Sequence, residues 1–128
     1  VPRAVSLTEF ISAFYTSGAF RPERWLLGAL LGKRADDSDV ARLAAGQSER
    51  FSAWSVEARR EDQILLCDYQ GRTRSWLMVS PTEGDTRLHF GSAVVPAKGR
   101  AERGVFRALL WFHRWYSVHL LSGAVSRL

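Results

Sequence analysis

Cysteine occurs once in the 128 residues, at Cys67, so an internal disulfide is excluded. Lysine is nearly missing as well: of 18 basic residues only Lys33 and Lys98 are lysine, and the rest are arginine. That skew reads as the codon bias of a GC-rich bacterial genome. Long hydrophobic runs are absent. The longest nearly apolar stretch, Ala108 to Phe112, falls far short of the ~20 residues a membrane-spanning helix needs. No signal-peptide pattern is present, and a start at Val1 rather than methionine leads us to expect residues upstream. No G-x-G-x-x-G follows a strand pattern, no G-x-S-x-G occurs, and no Cys/His or carboxylate spacing makes a metal set. We therefore expect no cofactor and no metal.

What is present is enough for one domain spanning residues 1–128. A chain of this length buries roughly two-thirds of its unfolded surface, so a core forms without staples. Hydrophobic residues make up 46% of the chain, which is globular rather than disordered composition. The net charge of +5 is dispersed, with signs alternating in Arg59-Arg60-Glu61-Asp62 and in Arg100-Ala101-Glu102-Arg103. A nucleic-acid binder concentrates its positive charge on one face, so no nucleic-acid partner is expected. Cys67 sits in an Ile-Leu-Leu-Cys run and reads as a buried, inert thiol. A reducing cytoplasm is the simplest compartment for such a chain.

The chain divides into a helical front, a β middle and a helical tail. Ser6-Leu7-Thr8-Glu9 is a capping box, and Phe10, Ile11, Phe14 and Tyr15 follow at helical spacing up to Gly18. Pro22 suits the first turn of a second helix that carries Trp25, Leu26, Ala29 and Leu30. A third helix is predicted over about Asp37 to Ala45, ending at Gly46. From Arg50 the period changes to two. FSAWSVEAR places Trp54, Val56 and Ala58 on one face, and DQILLCDY is an apolar run of strand length. RTRSWLMVS sets Trp76 and Met78 opposite Leu77 and Val79. TRLHFGSAVV sets Leu88, Phe90, Ser92 and Val94 opposite His89, Gly91 and Ala93. Short turns between these runs predict a four-stranded antiparallel meander. The tail helix is predicted from about Glu102 to Ser122. Val105, Leu109, Phe112, Tyr116 and Leu120 share its main stripe, and His113 and Ala124 border it. Arg107 and Arg114 lie on the far side, while Trp111 and Trp115 fall on a flank.

Helices, meander and long terminal helix in this order give an α+β fold that resembles the helix-grip architecture of the START, polyketide-cyclase and birch-pollen-allergen superfamily. Within it, the chain is similar to a bacterial domain family of unknown function. The residues that carry the resemblance are FSAWSVEARREDQILLCD, RSWLMVSPTEG and GVFRALLWFHRWYSVHLL with its Phe112-His113-Arg114. The resemblance implies an antiparallel sheet wrapped against the C-terminal helix, with an apolar cavity between them. Helix-grip domains begin with a strand before the first helix; here that strand is missing, trimmed, or reduced to Val1 to Val5.

Three functions are open to such a chain. The first is binding of a small hydrophobic or aromatic molecule in that cavity, lined by Trp54, Trp76, Leu109, Phe112, His113 and Tyr116. The second is a cyclase- or dehydratase-type enzyme on the same scaffold, with His113 or Tyr116 moving the proton. The third is an interaction or homodimerisation module through Trp111 and Trp115. Each named residue also has an ordinary reading as core. His113 reads first as a core histidine satisfied by a backbone carbonyl. His89 is expected to be exposed, on the face opposite Phe90, and His119 stands too far around the helix from His113 to share a ligand with it. Asp68 is expected to pair across the hairpin with Arg72 or Arg74.

Overall fold

The structure is a computed structural model that describes residues 1–20, 36–51, 53–68, 71–94 and 102–128, with the backbone alone at 94, 102–110, 112 and 113. The expected helix after Pro22 lies outside the described residues.

The first helix, α1 (Leu7–Thr16), begins as the sequence predicts. The Ser6 hydroxyl accepts the Glu9 N–H at 3.2 Å, and the Glu9 carboxylate accepts the Ser6 N–H at 2.8 Å. Phe10, Ile11, Phe14 and Tyr15 are all buried. The helix stops one residue before Gly18, at a Ser17 cap whose N–H donates to the Phe14 carbonyl. The next described helix, α2 (Asp37–Ala44), carries a second capping box made by Asp36 and Asp39, and it buries Val40, Leu43 and Ala44.

The described strands form one antiparallel sheet of five: β1 (Arg50–Phe51), β2 (Trp54–Arg59), β3 (Gln63–Asp68), β4 (Thr73–Pro81) and β5 (Thr86–Val94), paired in that order. The two-residue β1 is one more strand than the four-strand expectation. Phe51 pairs with Trp54, so a tight reversal lies inside a stretch whose alternation suggested one continuous strand.

Among the described residues, the helices pack on one face of the sheet. Ile64, Leu66, Ser75, Leu77 and Val79 point inward and are buried. Cross-strand pairing puts Phe90 beside Leu77 and Ser92 beside Ser75 on that same face, as the alternation of β5 predicts. The Ile64-Leu65-Leu66-Cys67 run, apolar throughout, is therefore two-sided. Leu65 and Cys67 lie on the outer face, and Cys67 is half-buried, its thiol donating to the Asp68 carbonyl. The expectation of a buried thiol is corrected: the alternation of β3 turns Cys67 away from the face that buries Ile64 and Leu66.

A bulge breaks the phase of β2. Val56 pairs with Leu66 but Ala58 pairs with Leu65, leaving Glu57 as the extra residue. Ala58 thus turns outward, away from the face of Trp54 and Val56. Arg59 turns to the side of Ile64, and its guanidinium donates to the carbonyls of Leu43 (2.7 Å) and Ala44 at the C-terminal end of α2. Strand β2 therefore supplies a cation to the negative end of a helix.

The C-terminal helix, α3 (Glu102–Val125), runs three residues beyond its expected end. It packs on α1 and touches β5, while α1 itself lies against β4. Gly123 makes the close approach possible, because a Cβ there would stand 3.1 Å from the Ala19 Cβ and 3.4 Å from Ser17. The N-terminal segment pairs with the first residue of β5. Val1 and Thr86 exchange two backbone hydrogen bonds, both 2.9 Å.

Candidate functional site

A cavity of about 260 Å³ lies between the inner face of the sheet, α1 and α3. Its sheet side comes from one end of four strands. Trp54 opens β2, and its register partner Asp68 closes β3. Thr73 and Ser75 belong to β4, and Phe90 and Ser92 to β5. Opposite them stand Phe14, Tyr15 and Phe20, then Tyr116, Ser117 and Leu120 of α3.

The aromatic walls are held by mutual packing. Phe14 and Phe90 lie 4.7 Å apart between ring centroids, bridging helix and sheet. Tyr15 sits edge-on to Phe20 at 4.8 Å and against Phe51 at 5.1 Å.

The polar groups are few and differ in their engagement. Ser92 donates its hydroxyl to the Arg74 carbonyl at 3.1 Å. The Tyr116 hydroxyl donates to the Ala19 carbonyl at 3.4 Å and so helps hold α3 to the end of α1. One Asp68 carboxylate oxygen accepts the N–H groups of Arg72 (2.8 Å) and Thr73 (3.2 Å), fastening the β3–β4 turn. The expected Asp68 ion pair is thus replaced by backbone bonds. Arg74 instead binds Glu57 through two contacts of 3.2 Å, because the bulge presents Glu57 to it. Trp54 differs from all of these: its indole N–H is buried and has no acceptor among the described residues. A buried donor left in that state costs roughly 1–3 kcal/mol.

Two of the six residues expected to line a cavity, Trp54 and Tyr116, are in it. Trp76 is not. It shares the outer face with Met78, opposite Leu77, and its N–H donates to Gln63 Oε1 at 3.0 Å. The ring covers Gly91, where a Cβ would meet it at 3.1 Å. Strand alternation forbids Trp76 and Leu77 from facing the same side, so its assignment to the lining is corrected. Leu109, Phe112 and His113 fall within α3, but their side chains lie outside the described residues. His89 is on the face opposite Phe90, but it is half-buried rather than exposed and is hydrogen-bonded to Ser80 at 3.1 Å.

The lining also contains residues that sequence reasoning missed as site residues. Ser75 and Ser92 carried a usable signal: each is a polar residue on the core-facing phase of its strand, and they are register partners. Phe14, Tyr15 and Phe90 were legible only as core. Nothing local distinguishes a ring that fills a core from one that borders a void.

Elsewhere on α3, Trp111 is 74% exposed and Trp115 57%, with Val118 at 70%. The His119 ring stacks parallel on Trp115 at 5.7 Å. Among the described residues no group of three His, Cys, Asp or Glu side chains is placed to hold a metal, and no helix is long and apolar enough to cross a membrane. No protein-family model, no curated protein and no solved structure matches the chain.

Proposed function

We propose that this chain binds a small, largely apolar aromatic molecule between its sheet and its helices, on a helix-grip arrangement of the START and polyketide-cyclase kind. The observation that carries the reading is the 260 Å³ space walled by aromatic rings from both layers. A dry cavity of about 150 Å³ accommodates benzene, so this one suits a fused pair of rings. Binding is favoured over cyclase or dehydratase chemistry because the Tyr116 hydroxyl is engaged with a backbone carbonyl. A bacterial cytoplasm is the compartment we propose for it.

The test is a thermal-shift and calorimetric titration with naphthalene-sized compounds against the unaltered chain and Ser92→Leu, which fills the cavity floor. The unaltered chain is expected to gain several degrees in Tm with saturating compound, and Ser92→Leu little or nothing. Equal responses from the two proteins refute binding in this cavity.

A second reading is favoured by a separate observation. Trp111, Trp115, Val118, Ser122 and Val125 are all exposed and follow one another at alternating spacings of four and three along α3. That is the spacing of a helix-pairing seam, and a second copy of the chain, related by a two-fold axis, is the partner it suits. Sedimentation at several concentrations, with Trp111→Ser/Trp115→Ser alongside, is expected to give a dimer that the double variant abolishes. A strictly monomeric parent chain refutes it.

A further inference from the structure

Ser75 is the odd residue in a buried row. The inward face of β4 carries Ser75, Leu77 and Val79, and Ser75 is 7% exposed. Its neighbours across the sheet are Leu66 of β3, whose side chain offers no polar group, and Ser92 of β5. The Ser75 hydroxyl makes no hydrogen bond with any described residue. Buried hydroxyls are nearly always paired, so this one calls for a partner. The cavity is where it can find one: Ser75 lines that space, and its oxygen is not sealed off as the Trp54 indole nitrogen is. Ser92 supplies the complement. Its proton is committed to the Arg74 carbonyl at 3.1 Å, so toward the cavity its hydroxyl can only accept. Directly opposed residues of an antiparallel pair hold their Cβ atoms about 4.5–5.5 Å apart. One oxygen set between two such hydroxyls lies within hydrogen-bond distance of both.

We infer that the bound molecule carries an aromatic hydroxyl, which donates its proton to Ser92 Oγ and accepts the Ser75 O–H, with its rings among Phe14, Phe90 and Tyr116. This rests on the binding function proposed above and adds the chemical class of what is bound. The pair offers a donor from Ser75 and an acceptor from Ser92, and a phenol-type group carries the matching acceptor and donor on a single oxygen. A ketone or an ether meets Ser75 alone, because it has no proton for Ser92. A plain hydrocarbon of the same shape meets neither.

Two probes of one shape decide it: naphthol and methylnaphthalene, titrated by calorimetry into the parent chain, Ser75→Ala and Ser92→Ala. For the parent chain, naphthol is expected to bind about tenfold more tightly than methylnaphthalene. In each variant that gap is expected to shrink to about threefold or less, while methylnaphthalene binds at least as tightly as before. Ser75→Ala breaks no hydrogen bond among the described residues, so its melt without ligand is expected at or above that of the parent chain. That melt separates a lost contact from a lost fold, and a clear fall in it shows a hydroxyl already used within the chain and overturns the inference. Should Ser92→Ala not fold, the Ser75→Ala comparison decides alone. If naphthol and methylnaphthalene bind the parent chain equally, the hydroxyl class is overturned while the cavity reading stands. If Ser75→Ala keeps the tenfold gap, the serine pair is not what holds the hydroxyl; if only Ser92→Ala keeps it, the ligand needs no proton to donate and the phenol-type class is wrong. If neither probe binds, the cavity reading fails and takes this inference with it.

Discussion

Thr86→Val is a substitution that a hydrophobicity scale ranks as harmless and the structure ranks as damaging. Thr86 opens β5 and is 1% exposed. Its hydroxyl accepts the Val5 N–H at 3.0 Å and donates to the Arg3 carbonyl at 2.8 Å, so one oxygen ties the N-terminal segment to the sheet edge. Valine matches the shape but removes both bonds. It strands the N–H of Val5, a residue only 6% exposed. A stranded buried donor costs about 1–3 kcal/mol and the second lost bond about 1 more, against less than about 1 kcal/mol gained from the extra methyl. The net is a loss of about 2 kcal/mol. An unfolding entropy of about 2.1 cal/mol/K per residue gives about 0.27 kcal/mol/K for 128 residues. The expected fall in Tm is therefore about 7 °C. Thr86→Ser keeps both bonds and loses one methyl, worth about 0.8 kcal/mol and about 3 °C. Thermal melts followed by circular dichroism rank the two, and amide exchange at Val5 is expected to accelerate in Thr86→Val alone. If Thr86→Val melts at or above Thr86→Ser, the hydroxyl is not what holds the segment.

Three further outcomes are expected. Arg59→Met removes the guanidinium from the carbonyls of Leu43 and Ala44; the side chain is exposed, so a loss of about 1–2 kcal/mol in urea unfolding is expected, and no change in midpoint counts against the cap. Gly123→Leu drives a branched side chain into Ala19 and Ser17, with an expected cost of about 3 kcal/mol; a melt like that of the parent chain disproves the close approach of α3 to α1. Glu9 is held below its ordinary value of 4.5 by the Ser6 backbone N–H first, then by the Ser6 hydroxyl and Arg3, and Asp36 below 3.8 by the Ser38 hydroxyl and the Asp39 N–H. A depressed carboxylate stabilises the fold above its unfolded value and stops doing so as pH falls through the folded one. Tm is therefore expected to be level from neutrality to about pH 5 and to drop below it, with a shallower drop in Glu9→Gln; superimposable acid limbs contradict this.

Much of the fold was legible because its signals are local. The Ser6–Glu9 and Asp36–Asp39 caps need only residues three apart. The inward phase of β4 and β5 needs only alternation, and the same rule already set Trp76 opposite Leu77. Placing Trp76 in the lining favoured aromatic character over phase, and phase won. The helical wheel set Trp111 and Trp115 on a flank of the tail helix, and the structure shows that flank to be exposed. The bulge at Glu57 left no trace in composition, and it redirected both Glu57 and Arg59 to partners that the sequence alone does not pair.

By itself, then, the chain's pattern determined where most of the described helices and strands fall and which residues of β4 and of β5 share a face, since periods of 3.6 and 2 are properties of neighbouring residues. Whether the layers close or stand apart was decided only in three dimensions. Gly123 against Ala19, and the Tyr116 hydroxyl on a carbonyl 97 residues away, set how α3 sits over the sheet. The Trp54 indole N–H ends buried, with no acceptor among the described residues. Distances between layers depend on contacts between residues remote in the chain, and no local repeat encodes them.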